Sequence, residues 1–247
     1  MGRDELDALQ AGYSPAFRFH DENLAMLAWY ARRMVGCLQR QGCRRLLSLG
    51  LGHKVVCDAI LRDLLPSLDS YTVVEGSRAI LDDFAARRAV PAGVELVHSM
   101  FEEFEPASAP DAIEIGFVLE HVDDPAALLR RCASWLAPGG TAIVVVPNAR
   151  SLHRLIGRAA GLLDNLHRLS AQDLELGHQR YFDLDSLVAV VVKAGLRIRL
   201  VEGVMLKPIT TGQLAALALP PAVLDALFQV GVELPAIANA IYVEATR

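Results

Sequence analysis

Short apolar runs alternate along this chain with stretches whose apolar residues recur at helical spacing, and that alternation leaves few folds open. The runs 45–49, 71–74, 94–97, 112–117 and 141–146 have strand length, while 55–65, 77–89 and 125–136 between them are long enough for helices. Strands separated by helices of that length pair in parallel, and right-handed crossovers put helices on both faces of the sheet. The sequence therefore predicts an α/β fold with a mainly parallel sheet. Asp124 and Pro125 supply a capping side chain and a first-turn residue for the third helix. Ahead of the first strand, Leu24, Leu27, Tyr30, Met34, Val35 and Leu38 share one face of a helix over 23–38 that packs on the edge of the core.

Beyond Pro147 the rhythm breaks. Residues 149–176 are rich in leucine and arginine and contain no good strand, so they read as a helical insertion over the strand ends. A capped helix over 183–194 ends at Gly195, a sixth strand follows at 197–204, and a seventh lies at 241–244, with Pro208, Pro220, Pro221 and Pro235 in the segment between them. At 247 residues the chain suits one domain. Its expected parts are a helical cover (1–40), a ligand-binding core (41–147), a helical lid (148–182) and the rest of the sheet (183–247), interrupted by an insertion at 206–239.

Composition narrows the function classes. Hydrophobic residues make up 53% and charged residues 21%, a globular balance, and the net charge of −5 argues against a nonspecific nucleic-acid binder. Arg150, Arg154, Arg158 and Arg168 read as a solvated helix face. Cys37, Cys43, Cys57 and Cys132 show no paired spacing and read as reduced, packed thiols. Residues 1–5 are charged with no apolar signal behind them, and no run approaches the roughly 18 apolar residues of a spanning helix. A cytoplasmic protein with no membrane contact is expected.

The first strand runs into Gly50-Leu51-Gly52-His53-Lys54, where Gly50 turns the chain and Gly52 lets backbone approach a ligand. Two glycines also suit an ordinary strand-to-helix turn, but Glu75 at the end of the second strand stands where a carboxylate accepts hydrogen bonds from both hydroxyls of a ribose. A nicotinamide site fails on spacing, since the third glycine of its fingerprint falls at Val55, and the phosphate-loop pattern fails around Lys54. Gly76 and Ser77 start the next helix, with Ser77 as its cap.

Taken in order with Leu119-Glu120-His121-Val122-Asp123-Asp124-Pro125 and Leu136-Ala137-Pro138-Gly139-Gly140, these segments resemble the class I S-adenosylmethionine-dependent methyltransferases over residues 22–147, in the branch that methylates small molecules. The resemblance implies a seven-stranded Rossmann-like fold, mostly parallel, with an antiparallel last strand at the sheet edge and helical insertions. It implies S-adenosyl-L-methionine as cofactor and S-adenosyl-L-homocysteine as product. Gly50, Leu51, Gly52, Glu75, Gly76 and Ser77 would hold the cofactor, with backbone from Met100 and Phe101 reading the adenine, although Phe101 suits the core equally. Gly116, Phe117 and Leu119 would line it, and Glu120 and His121 would serve the loop beneath its methionine portion. Two positions depart from the pattern: Ser48 stands where the family has an acid that touches the methionine amino group, and Lys54 where it has a third glycine.

Methyl transfer by in-line displacement needs orientation and desolvation, and it needs a base only when the acceptor must lose a proton. Candidates for that base lie outside the cofactor half: His178 and His153 first, since both flank the lid, with His167, Arg180 and Tyr181 nearby. No metal is expected, because no pair of histidines or acids shows ligand spacing on one element. The expected partner is a small-molecule acceptor methylated on oxygen or nitrogen, with no nucleic acid, and a homodimer is left open. The rival readings are a protein that binds cofactor or product without catalysis, and a protein or nucleic-acid methyltransferase; the acidic charge counts against the latter.

Overall fold

The computed structural model describes residues 6–7, 17 and 19–247. Its strands are β1 (Arg45–Leu49), β2 (Ser70–Glu75), β3 (Val94–His98), β4 (Ala112–Gly116), β5 (Thr141–Pro147), β6 (Arg197–Val204) and β7 (Ala240–Thr246). They form one sheet in the order β3-β2-β1-β4-β5-β7-β6. β1 to β5 pair in parallel, and β7 is antiparallel to both of its neighbours. The order reverses beside β1, between β2 and β4, the kind of switch point at which open α/β sheets bind ligands.

Helices cover both faces. On one lie α1 (His20–Gln41), α2 (Val55–Asp63) and α3 (Arg78–Arg87), with Tyr30, Met34, Leu38, Ile60 and Phe84 in the core. On the other lie α4 (Pro125–Trp135) and, past the insertion helices α5 (Leu152–Ala159) and α6 (Ala171–Glu175), α7 (Leu184–Lys193); Leu129, Cys132, Leu187 and Val191 pack there against Ile113 and Val144. The helix starts follow the expected chemistry. Ser77 caps α3 by accepting from Ile80 N–H, Asp124 caps α4 by accepting from Ala127 N–H, and Asp183 caps α7 by accepting from Ser186 N–H. The four cysteines are free and buried, and no helix among the described residues is long and apolar enough to cross a membrane.

Three expectations are corrected. The edge strand is β6, with β7 inserted between it and β5. Packing explains the order: β7 sends Ile241, Val243 and Ala245 into one core and Ala240 and Tyr242 into the other, whereas Arg197 and Arg199 of β6 are exposed. The insertion is less helical than its composition suggests, since α5 and α6 are short and separated by Gly161 at a φ of 72°. Arg154 belongs to no solvated face: it is buried, donates to the carbonyls of Leu166 and Arg168, and lies over the Tyr181 ring. Arg150, Arg158 and Arg168 are exposed.

β6 is held by α9 (Pro221–Val232), which follows the short α8 (Thr211–Ala216). A β-carbon on Gly203 would lie 2.1 Å from the Gly231 carbonyl oxygen and 2.4 Å from Ala238 Cβ, so backbone meets backbone here. Gly203→Ala is expected to cost about 2 kcal/mol through overpacking, or roughly 4–8 °C of melting temperature at this chain length. Thermal unfolding measures it, and a melting point within about 1 °C of the parent would show that α9 moves aside freely.

Candidate active site

The carboxyl ends of β1, β2 and β4 open into a cavity of about 570 Å³ that residues of the insertion also line. The β1–α2 loop forms its floor. Gly50 and Gly52 have φ of 86° and 46°, and Gly50 N–H donates to the Val74 carbonyl at 2.8 Å. Lys54 also has a positive φ, 68°, which gives a physical reason for a glycine at this position. Its ammonium leaves the loop to pair with Asp83 on α3.

Glu75 ties this loop to β2. One carboxylate oxygen accepts from Leu51 N–H and the other from Ser77 N–H, both at 2.8 Å. Burial pushes its carboxyl above the ordinary range, opposed by the hydrogen bonds from Ser77 and Leu51. A carboxylate offers about four acceptor positions, so these two bonds leave capacity for hydroxyl groups in the cavity.

A second carboxylate escaped the sequence reading. Glu114 stands beside Ser48 in the β1–β4 register and lines the same cavity. Tyr30 O–H and Gly116 N–H donate to its Oε1 at 2.6 and 2.9 Å, and burial pushes its carboxyl up to about 7. The acid absent at Ser48 is thus present one strand over. Its signal was an acid inside an otherwise apolar strand, Ala-Ile-Glu-Ile-Gly. Gly116 makes room for the arrangement: a β-carbon there would sit 2.6 Å from both Glu114 Oε1 and Tyr30 Cε1. Phe117 follows with a φ of 56°, a left-handed conformation held by its N–H bond to the Val145 carbonyl.

The polar side of the cavity gathers Glu120, His121, His153, Asp173, His178 and Tyr181. The rings of His121 and His178 meet edge to face at 4.8 Å. Burial pushes the Glu120 carboxyl up to about 7 and the imidazoles of His121 and His153 down to about 3. His153 is therefore neutral near pH 7 and a weak base, better suited to accept a hydrogen bond than to take a proton in the rate-limiting step. Asp173 accepts from Tyr181 O–H at 3.0 Å and from Ser170 O–H at 2.6 Å. Burial of Asp173 raises its carboxyl, but the His178 imidazole beside it and the hydrogen bonds from Ser170 outweigh that and hold it well below the usual range.

Of the residues singled out in the sequence, Gly50, Leu51, Gly52, Glu75, Ser77, Phe101, Gly116, Phe117, Glu120, His121, His153 and His178 line this one cavity. Gly76 and Met100 do not, and the Met100 carbonyl is engaged by the N–H groups of Glu103 and Phe104. Arg180 does not face the cavity either: its guanidinium donates to the carbonyls of Leu119, Val122 and Asp123, clamping the insertion to the β4–α4 loop.

A family profile described as a methyltransferase domain matches residues 18–201. No curated protein matches the chain by sequence. Among solved structures, the chain is similar to a methyltransferase in complex with the Haloferax volcanii Trm112 methyltransferase activator, at 14% identity over 97% of each chain with a TM-score of 0.63. It is similar to the plantazolicin methyltransferase BpumL, solved with a triazolic desmethylPZN analog and S-adenosyl-L-homocysteine, at 14% identity over 99% of this chain and 98% of that one with a TM-score of 0.61. The N-methyltransferase NodS from Bradyrhizobium japonicum, in complex with S-adenosyl-L-homocysteine, aligns at 12% identity over 98% and 97% with a TM-score of 0.57. These likenesses are of fold, and the profile, which covers well over half of the chain, is of family: the protein belongs to the methyltransferase-domain family and is a class I S-adenosylmethionine-dependent methyltransferase.

Proposed function

We propose that this enzyme methylates an oxygen or nitrogen of a small-molecule acceptor held between the β4 end and the 148–182 insertion. The observation that carries this reading is the continuity of the cavity, which runs from the glycine loop and Glu75 to the polar groups of the insertion and so offers one chamber for both reactants. Its volume, about 570 Å³, lies within the range of small-molecule sites.

The cofactor suits the residues present. The loop glycines, at positive φ, admit close backbone approach, Glu75 offers acceptors for ribose hydroxyls, and Gly116 makes room for Glu114 and Tyr30 at the cavity wall. In this assignment Gly50, Leu51, Gly52, Ser77, Phe101 and Phe117 surround the cofactor, and Glu114 receives the methionine ammonium in place of Ser48. S-adenosylmethionine supplies an electrophilic methyl carbon on a sulfonium when bound. The chain's own task is then to aim the acceptor and keep water out, with His153 accepting a hydrogen bond from it and the insertion covering the strand ends.

Replacing Glu75 with Gln removes a charge-assisted acceptor worth roughly 1.5–3 kcal/mol, so affinity for S-adenosyl-L-homocysteine should fall about ten- to a hundredfold. Calorimetry on folded variant measures this, and unchanged affinity would take Glu75 out of the site. For Glu114 the sign follows from its raised carboxyl, which moves from 4.5 to about 7 on folding. The folded state holds that proton more tightly, so the contribution is full below the unfolded value and is lost as pH rises through 7. Glu114→Gln should therefore remove on the order of 3 kcal/mol of pH dependence between those limits. Product binding near pH 7 should also release part of a proton from Glu114, seen as a buffer-dependent heat in the parent and absent in the variant. Equal heats in both proteins would place the ammonium elsewhere.

A further inference from the structure

We propose that Glu120, His121 and His178 bind one divalent transition-metal ion whose open positions take a hydroxyl oxygen of the acceptor. The proposal rests on the methyl-transfer reading for its purpose, but the site stands on its own geometry. One ligand atom from each of the three side chains lies within 4.8 Å of the others, the only such group among the described residues. Octahedral ligands about 2.1 Å from an ion stand roughly 3 Å apart in cis and 4.2 Å in trans, so small side-chain adjustments close the cluster.

Glu120 is the observation that asks for a ligand. Its side chain is fully buried and lines the cavity, and neither carboxylate oxygen has a hydrogen-bond partner among the described residues. A buried carboxylate without a partner is costly, and a cation is one of the few things that relieves it. The surroundings are those of ligands held in place. His178 Nδ1 stands 3.2 Å from Asp173 Oδ1, an ion-pair distance without hydrogen-bond alignment, which leaves Nε2 for an ion. Asp173 is oriented in turn by Tyr181 and Ser170. A carboxylate behind a ligating imidazole sets its tautomer and raises its basicity.

The backbone brings the two halves together. Gln179 N–H donates to the Glu120 carbonyl at 2.8 Å, and the Gln179 side-chain amide donates to the His121 carbonyl at 2.6 Å. These bonds and the Arg180 clamp seat His178 against the β4–α4 loop. Two imidazoles and one carboxylate favour first-row transition ions over magnesium or calcium, which prefer all-oxygen sites. All three side chains line the cavity, so remaining coordination positions face the acceptor. A hydroxyl coordinated there loses its proton to water more readily. Its oxygen then forms the bond to the methyl carbon as the carbon–sulfur bond breaks, with the bonding pair left on sulfur. This selects a hydroxyl acceptor over an amine.

The test uses the full chain, stripped with a chelator and titrated with Co(II), whose visible bands report nitrogen and oxygen coordination, and with Zn(II) by calorimetry. One ion per chain is expected, with affinity lowered roughly tenfold or more by His178→Gln, Glu120→Gln or Asp173→Asn. His167→Gln, on the exposed part of the insertion, should leave stoichiometry and affinity unchanged. Should Glu120→Gln misfold, His178→Gln carries the result, with circular dichroism and product affinity as checks on the fold. No stoichiometric binding to the parent, or equal affinity in the His178 variant, overturns the proposal. If the metal-free protein still binds cofactor and transfers methyl groups at full rate, the metal is refuted while methyl transfer stands. If the chain binds the ion but neither cofactor nor product, the failure lies with the methyl-transfer reading.

Discussion

The carboxylate of Glu75 is the joint on which the site depends. It ends β2, accepts from the N–H groups of Leu51 and Ser77, and so couples the glycine loop after β1 to the start of α3. Those amides would otherwise face the cavity without fixed partners, and a loop with glycines at positive φ has little to hold it still. One buried acid thereby shapes the floor of the cavity while keeping acceptor capacity for a ligand. Ser77 completes the joint by capping α3 with its hydroxyl.

Around this joint the chain concentrates groups that a core would normally exclude. Glu114 and Glu120 are buried acids whose carboxyls are both pushed up to about 7 by burial. Lys54 and Phe117 hold left-handed backbone at the cavity, a conformation that costs about 1–2 kcal/mol for a residue with a side chain. Such costs persist where the surroundings over-determine the geometry, and here each has an evident support: Tyr30 and Gly116 for Glu114, the Val145 carbonyl for Phe117, Asp83 for Lys54. The unsupported case is the Glu120 side chain, and it lies beside the two histidines that face the acceptor end.

The cofactor half was legible because its elements are local. Strand, glycine loop and helix start follow one another within a dozen residues, and Glu75 ends the next strand, so periodicity and turn chemistry suffice to place them. Glu114 was missed because the interior of a buried strand reads as core, and only the register places it next to Ser48. Arg154 was misjudged for the opposite reason: an arginine in a leucine-rich insertion looks solvated, whereas it spends its donors on backbone carbonyls, as does Arg180, which was expected beside the acceptor. The placement of β7 inside the sheet depended on which strand had two apolar faces to bury.

By itself the sequence determined the α/β class, the helix caps at Ser77, Asp124 and Asp183, the left-handed glycine loop and the acid at the end of β2, since each is set by neighbours within a few residues. Tertiary structure decided everything that joins distant segments. It set Glu114 beside Ser48, inserted β7 between β5 and β6, and carried His178 from the insertion to Glu120 and His121. No spacing along the chain encodes those meetings. They arise from burying two apolar faces of one sheet and from the carbonyls of 119–123 that Gln179 and Arg180 must satisfy.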